Sequence, residues 1–390
     1  MTYNRKVLVT LFFITFSLST LLSVSGLSNE IATFFKVDIA ESSIYLGSFL
    51  FIVGITALFL PAYLSKVNRK KFIILSLFVS MVTTFIQIFV DDIFEIAFIL
   101  RIIPAFFYST AISFVLTYMG DVDPNNVNKV VLGITSGAVF GASFSIFLTT
   151  NFGYNYALLW ISLINLFTLI LSVLFLPQIN GKTESFLHQI HIAKCEIFII
   201  SIFSILFIGI GVSTTYNFFT YLLETLTHLP YDELSLFIFF NGLASVFGTS
   251  LIGKLMQKNL KLTVLLYPVV FIMLMLSMIL CIHMEKPMFV ILILFGLLDG
   301  SMQTIAQYTI SSAAPDAPEF ANGFYLFIVN LNRTIGIVVG GMLIESWFTI
   351  SILIMSVISF AMAIPFLIYR FKKFSSVGYY NSNVSDESAM

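Results

Sequence analysis

Arg101, Asp299 and Arg333 are charged residues that stand well inside long apolar runs, and they are where this sequence could do chemistry. A carboxylate or guanidinium at the centre of a bilayer costs about 2.5–3.5 kcal/mol on insertion scales, so such a group faces a protein interior or a water-filled cavity. Asp299 lies about twelve residues into its run, or about 18 Å along a helix rising about 1.5 Å per residue. Arg333 lies about thirteen residues into the next run, which returns the opposite way and reaches a similar depth. An Asp299–Arg333 pair is therefore feasible. Asp299 could carry a proton, and Arg333 could fork onto an anionic substrate group. A static pair that fixes helix register is the other reading of the same two residues.

Polar neighbours extend the pattern. Asp299, Gln303 and Gln307 recur every four residues, and Ser213, Asn217, Thr220 and Glu224 make a similar stripe flanked by Tyr216 and Tyr221. Residues four apart share one helix face, and a polar face in lipid must look onto a cavity or another helix. Proton coupling is accordingly assigned to Asp299 and Arg101, and substrate contact to Arg333, Gln303, Asn217 and Tyr216. The first apolar run offers Ser17, Ser19, Thr20 and Ser23 but no acid; Glu30, His188 and His191 read as surface groups. No Gly-rich phosphate loop followed by Lys-Ser/Thr occurs. No metal-ligand spacing appears, and no Ser/His/Asp set shares one depth. The expectation is neither an enzyme nor a cofactor- or metal-dependent protein.

The elements that must position these residues follow from composition. The chain has 390 residues, of which 58% are hydrophobic and 10% charged, with 44 Phe and a net charge of −1. Soluble domains run near 45–50% apolar and about 25% charged, so a soluble fold is excluded, and the neutral balance gives no sign of nucleic-acid binding. A membrane span takes about 20 apolar residues. Runs near residues 7–28, 43–64, 72–90, 94–119, 129–151, 155–176, 196–223, 232–253, 262–283, 287–312, 320–344 and 347–369 give twelve. The first is too long for a signal peptide and lacks a small-residue cleavage site. The expected organisation is an N-terminal six-helix half (1–177), a central cytoplasmic loop (178–195), a C-terminal half (196–370) and a disordered cytoplasmic tail (371–390). Fifteen of the 19 Lys and Arg fall on one side when the N-terminus is inside, while only Lys36 and Lys286 fall outside. The positive-inside rule then places both termini in the cytoplasm. Cys195 and Cys281 fall at opposite faces, which makes a disulfide implausible.

Duplication is visible in two places. Pro61-Ala-Tyr-Leu-Ser-Lys-Val-Asn-Arg69 and Gly253-Lys-Leu-Met-Gln-Lys-Asn-Leu-Lys261 stand 192 positions apart, and each sets basic residues at its sixth and last positions. Gly137-x-x-x-Gly141-Ala142 and Asn332-x-x-x-Gly336-Ile337-x-x-Gly340-Gly341 give the second match, with Gly141 and Gly336 separated by 195. Six-span repeats with a midplane site describe one transporter architecture, and glycine rows let helices approach closely in lipid.

With these blocks in view, the chain resembles the major facilitator superfamily, and within it the twelve-span drug:proton antiporters that include arabinose and sugar efflux permeases. Thr220-Tyr221 followed by Asn241-Gly242-Leu-Ala244-x-x-x-Gly248-x-x-x-x-Gly253 resembles the seventh and eighth spans of that group. Ala313-Ala314-Pro315-Asp316-Ala317-Pro318-Glu319 resembles the loop after its tenth, and Asn330-x-x-x-x-x-Gly336-x-x-x-Gly340-Gly341 its eleventh. The resemblance implies an all-α membrane fold and adds Asn241 and Asn330 to the substrate set. It also implies conformational gating at Lys66, Arg69, Gly137, Gly141, Gly336 and Gly340. Departures stand out. In the family's Gly-x-Leu-Ala-Asp-Arg-x-Gly-Arg-Arg loop, this chain has Pro61, Ser65 and Asn68 at the first Gly, the Asp and the second Gly. An ion-pair latch on the cytoplasmic side is thus weakened or rebuilt. Ala142 stands where the antiporter motif has Pro, the Gly that follows the fourth-span Arg is absent after Arg101, and Arg333 replaces an apolar residue. The expected activity is proton-coupled export of a small polar or anionic metabolite, sugar, metallophore-like compound or drug by a monomer in the cell membrane. A proton:solute symporter and a non-transporting membrane sensor or assembly partner are the alternatives.

Overall fold

A computed structural model describes residues 5–22, 28–37, 39–90, 93–181, 194–227, 231–346 and 348–374, and the regular structure among them is helical. The elements are α1 (Arg5–Thr20), α2 (Ser28–Phe35), α3 (Ile39–Tyr63), α4 (Arg69–Gln87), α5 (Phe94–Val122), α6 (Val127–Phe152) and α7 (Tyr154–Phe175). They continue as α8 (Glu196–Asn217), α9 (Tyr231–Cys281), α10 (Glu285–Ser311), α11 (Pro318–Ser346) and α12 (Ser351–Lys373). Among the described residues, ten stretches are long and apolar enough to cross a membrane. One of them lies in α9, which is two helices joined at Asn259, where the backbone leaves the helical region (φ −153°, ψ 88°). Counting that stretch twice and adding the 16-residue α1 gives the twelve helices expected. The chain forms two compact units, Met1–Ile190 with Ala317–Phe327, and His191–Asp316 with Ile328–Met390.

In the first unit α1 packs on α6 and α7, α3 on α5, and α4 on α5 and α7. Small residues set the closest approach. A Cβ on Gly137 of α6 would stand 2.2 Å from the Phe16 carbonyl oxygen of α1, so only glycine fits there. In the second unit α8 packs on α12, and α9 on α10 and α12. A Cβ on Gly336 of α11 would stand 2.6 Å from the Ser213 Cβ of α8. Gly137 and Gly336 therefore occupy corresponding contacts, one in each unit. Gly137 is the glycine four residues before Gly141, the position matched to Gly336 in the sequence repeat.

The duplication also shows at a helix start. The Asn68 side chain accepts a hydrogen bond from the Lys71 amide (3.0 Å), and the Asn259 side chain accepts one from the Leu262 amide (3.1 Å). Asn at an N-cap satisfies an orphan amide of the first turn. Each Asn begins the helix that follows the basic block of its unit, and in α9 this cap is what reorients the chain without a loop.

Two expected boundaries are corrected, and a short helix is added between the first two spans. The first span was expected to reach residue 28, but α1 ends at Thr20, and the Leu21 carbonyl is taken by the Arg101 guanidinium (2.6 Å) instead of a helical amide. The segment before the second span forms α2, whose Phe34 and Phe35 meet Tyr154, Tyr45 and Phe94 in edge-on and tilted ring contacts. The tail was expected to be disordered from residue 371, but α12 runs to Lys373. Basic residues in a last helical turn complement the dipole, and Lys373 also pairs with Glu196 at 2.6 Å. His188, His191, Ser23 and the tail from residue 375 lie outside the described residues, as do the side chains of Glu30, Thr220, Tyr221 and Glu224.

Gly137→Ala should lower the stability of the purified protein by at least the 1–3 kcal/mol typical of overpacking, because the new methyl meets backbone. Gly47→Ala, where nothing lies within 4 Å, should leave the thermal midpoint unchanged or raise it. Melting curves in detergent for both variants check the contrast.

Candidate functional site

In the second unit Asp299 sits in the middle of α10. The α9 face opposite it is drawn close by three glycines. A Cβ on Gly296 would stand 2.2 Å from the Asn241 carbonyl oxygen, one on Gly300 1.8 Å from that of Ser245, and one on Gly248 1.8 Å from that of Leu297. At this separation side chains reach the neighbour's backbone. Asn241 donates to the Leu292 carbonyl (2.7 Å), Thr249 to that of Gly300 (2.9 Å) and Ser301 to that of Gly248 (3.1 Å). The Asp299 carboxylate hydrogen-bonds to Ser245 on α9 and lies in the field of Arg333 on α11. Tyr216 of α8 feels both Asp299 and Arg333, and Tyr267 of α9 also feels Asp299.

Asn217 ties this group together, donating to the Ser213 carbonyl (2.7 Å) and reaching the Arg333 carbonyl (3.5 Å). Tyr216 and Asn217 are exposed, while Gln303, Asn330 and Arg333 are half-buried. Asp299, Arg333, Tyr216 and Asn217 thus share one cluster. Asn241 gives one amide N–H to the Leu292 carbonyl, on the seam between α9 and α10. Gln307, the last member of the α10 stripe, is buried and donates to Ser311 (3.1 Å). Ser245 and Tyr267 were missed by sequence reasoning, because a serine and a tyrosine in an apolar run read as ordinary helix residues.

In the first unit Arg101 is buried on α5, with its guanidinium over the rings of Phe49 (4.4 Å) and Tyr45 (5.8 Å). The Tyr45 hydroxyl donates to Gln87, and Tyr154 approaches it at 3.5 Å. This is a cation held by aromatic faces and one backbone carbonyl, and Asp299 belongs to the other unit.

A third charged group was partly anticipated. Arg69, the first residue of α4, is 2% exposed and pairs with Asp121 of α5 (3.5 Å) and with Glu319, whose side chain is fully buried in the first turn of α11. Glu319 Oε2 has no hydrogen-bond partner among the described residues. Ser113 donates to the Glu319 carbonyl (2.9 Å), and Asn322 to Thr117 (3.0 Å). Ser65, where the resembling family has Asp, is buried, and Lys66 beside it is exposed. A Cβ on Gly181 would stand 2.4 Å from the Ser65 carbonyl oxygen, and the Arg69 amide donates to the Ile179 carbonyl (2.9 Å), so the start of the central segment is packed against this turn. The carboxylate missing at Ser65 is supplied from α11. Sequence reasoning overlooked Glu319 because an acid just after Pro318 reads as a routine first-turn helix residue.

Arg370 was also overlooked. It is buried at the end of α12 and donates to Ser201 (2.9 Å), to Ser312 (2.7 Å) and to the Thr309 carbonyl (3.3 Å). Those last two partners end α10, so the cation is placed against the negative end of a helix dipole. Of the remaining gating residues, Gly141 is buried on α6 and Gly340 lies under the Phe218 ring.

The family profile described as Major Facilitator Superfamily matches residues 7–333. The chain belongs to the Major Facilitator Superfamily. It is also similar, at 24% identity over 329 residues, to a protein of Helicobacter pylori (strain P12) named probable sugar efflux transporter. That alignment covers 82% of this chain and 83% of the relative. A protein of the same name from Helicobacter acinonychis (strain Sheeba) is 22% identical over 337 residues, with the same shares of the two chains. Membership makes the chain a multi-pass membrane transporter of a small-molecule substrate, and superfamily members are generally not enzymes.

The Arg69 group contains one cation and two carboxylates, so its members are not equivalent. Removing one partner of a buried pair typically costs about 3–5 kcal/mol. Arg69→Met should destabilise on that scale, because it strands Glu319 in an apolar site. Glu319→Gln should cost less, because Asp121 still neutralises Arg69, and adding it to Arg69→Met should restore part of the loss. Thermal midpoints of the four proteins read this cycle.

Proposed function

We propose that the chain exports a small polar molecule, a sugar or an anionic metabolite, in exchange for protons by alternating access. The observation that carries the proposal is the placement of Asp299. It is a mid-helix carboxylate hydrogen-bonded to Ser245, within the field of Arg333 and beside the exposed Tyr216 and Asn217. Protonating Asp299 would weaken its hold on Arg333, whose guanidinium is then free to meet or release substrate. Deprotonation would reset the group. Tyr216, Asn217, Gln303 and Asn330 are assigned to substrate contact, and Arg101 to coupling within its own unit. The names carried by the Helicobacter relatives support both efflux and a sugar-like substrate.

The reading includes a cell-membrane location, both termini in the cytoplasm on the strength of the Lys and Arg distribution, and a monomer in which each six-helix half is one functional body. Gating is assigned to the Arg69–Asp121–Glu319 group with Lys66, and to the close contacts at Gly137, Gly141, Gly336 and Gly340. Uptake by symport is the second reading, and Ala142 favours it, because the antiporter motif has Pro at that position.

Proteoliposomes with an imposed pH gradient and an internal pH dye test the proposal. A panel of sugars and small organic anions should include a compound that moves protons against its own flux, and Asp299→Asn should reduce that coupled flux at least tenfold. Arg333→Gln should raise the half-saturating concentration of an anionic substrate about tenfold while sparing neutral ones. Proton and solute moving together would establish uptake instead, and full coupling in Asp299→Asn would sink the mechanism.

A further inference from the structure

We infer that a cleft of about 430 Å³ between the start of α1 and the end of α7, lined by Arg5, Lys6, Val9, Thr10, Leu171 and Phe175, binds one anionic phospholipid. The chemistry divides along the cleft. Arg5 and Lys6 are exposed, and Lys6 Nζ lies 5.3 Å from the centre of the Phe175 ring, so the cations gather at the mouth. Lys70, at the start of α4, brings a third positive charge to the same end, where its Nζ donates to the Val173 carbonyl of α7 (3.3 Å). Among the described residues, no carboxylate lines the cleft. Further in, the walls are Val9 and Leu171, with Phe175 37% exposed and Val9 44% exposed. Thr10 offers nothing to a ligand as donor, since its hydroxyl is given to the Lys6 carbonyl (2.9 Å).

Because α1 begins and α7 ends here, the cations stand at helix ends, α7 being long enough to cross a membrane, where headgroups lie, and the apolar walls run toward the hydrocarbon. A free anion would use the cations and leave the apolar walls wet, and a zwitterionic lipid would bring its own cation to the mouth. A phosphate carrying net negative charge on an acyl-chain body satisfies both parts. Basic pockets between membrane helices are known receptors for such headgroups. The inference does not depend on the direction of transport.

Native mass spectrometry of the full chain in detergent tests it, with dioleoylphosphatidylglycerol, dioleoylphosphatidylcholine and inorganic phosphate as the added probes. The expected result is one tightly retained phosphatidylglycerol. Arg5→Gln with Lys6→Gln should weaken it about thirtyfold (about 2 kcal/mol), while the charge-conserving Arg5→Lys with Lys6→Arg keeps it. Lys258→Gln with Lys261→Gln, which removes two exposed cations of the other unit, should leave it unchanged. Should the neutral double variant fail to fold, the single variants, each expected to weaken binding about fivefold, carry the same test. Equal retention of phosphatidylcholine, displacement by inorganic phosphate, or equal losses in the Lys258/Lys261 variant would overturn the inference.

Discussion

Lipid offers no hydrogen bonds, so the polar groups that this chain buries depend on the protein for their partners. That requirement explains how the charges are held. Arg101 lies over two aromatic rings with one carbonyl, Arg69 faces two carboxylates, and Arg370 lies on the end of a helix. Each solution needs a partner element at a fixed place, so the buried cations act as alignment points for the helices around them. The hydroxyls follow the same rule more cheaply, with Ser136 and Thr214 returning their protons to carbonyls of their own helices.

Helix association in such a medium gains nothing from apolar contact alone and relies on close packing and shared hydrogen bonds. The α9–α10 pair shows both means at once. Glycines remove the side chains that would hold the backbones apart, and Asn241, Thr249 and Ser301 then bond across the gap. The site acid is placed by this seam. Ser245, which presents its carbonyl to Gly300, also presents its hydroxyl to Asp299, so one residue sets both the spacing and the environment of the carboxylate.

The all-α membrane architecture was legible in the sequence because apolar run length and bilayer thickness are tied by helix geometry. Asp299, Arg333, Asn217 and Tyr216 were legible as neighbours for a similar reason, since charge in an apolar run is too costly to be accidental and helix periodicity fixes its face. What escaped were features whose local sequence is ordinary. Glu319 resembles any acid in a first helical turn, and Arg370 is hidden in a basic flank. The eight residues of α2 are too few to show periodicity, and Ser245 carries no charge. Asn241, assigned to substrate contact through the family resemblance, gives one N–H to a neighbouring carbonyl, a contact that only the packed helices reveal.

The joint at Asn259 has a mechanical consequence. A loop between two membrane helices lets each tilt on its own, whereas α9 turns through a single capped residue, with the Asn259 side chain on the Leu262 amide and the Thr263 hydroxyl on the Asn259 carbonyl (2.7 Å). The two arms of α9 form a bent lever with a short, hydrogen-bonded elbow. The first arm is sewn to α10 along its length, and the second carries Tyr267, which donates its hydroxyl to the Leu298 carbonyl beside Asp299 (2.7 Å). Asp299 is therefore flanked by both arms at once, by Ser245 on the first and Tyr267 on the second.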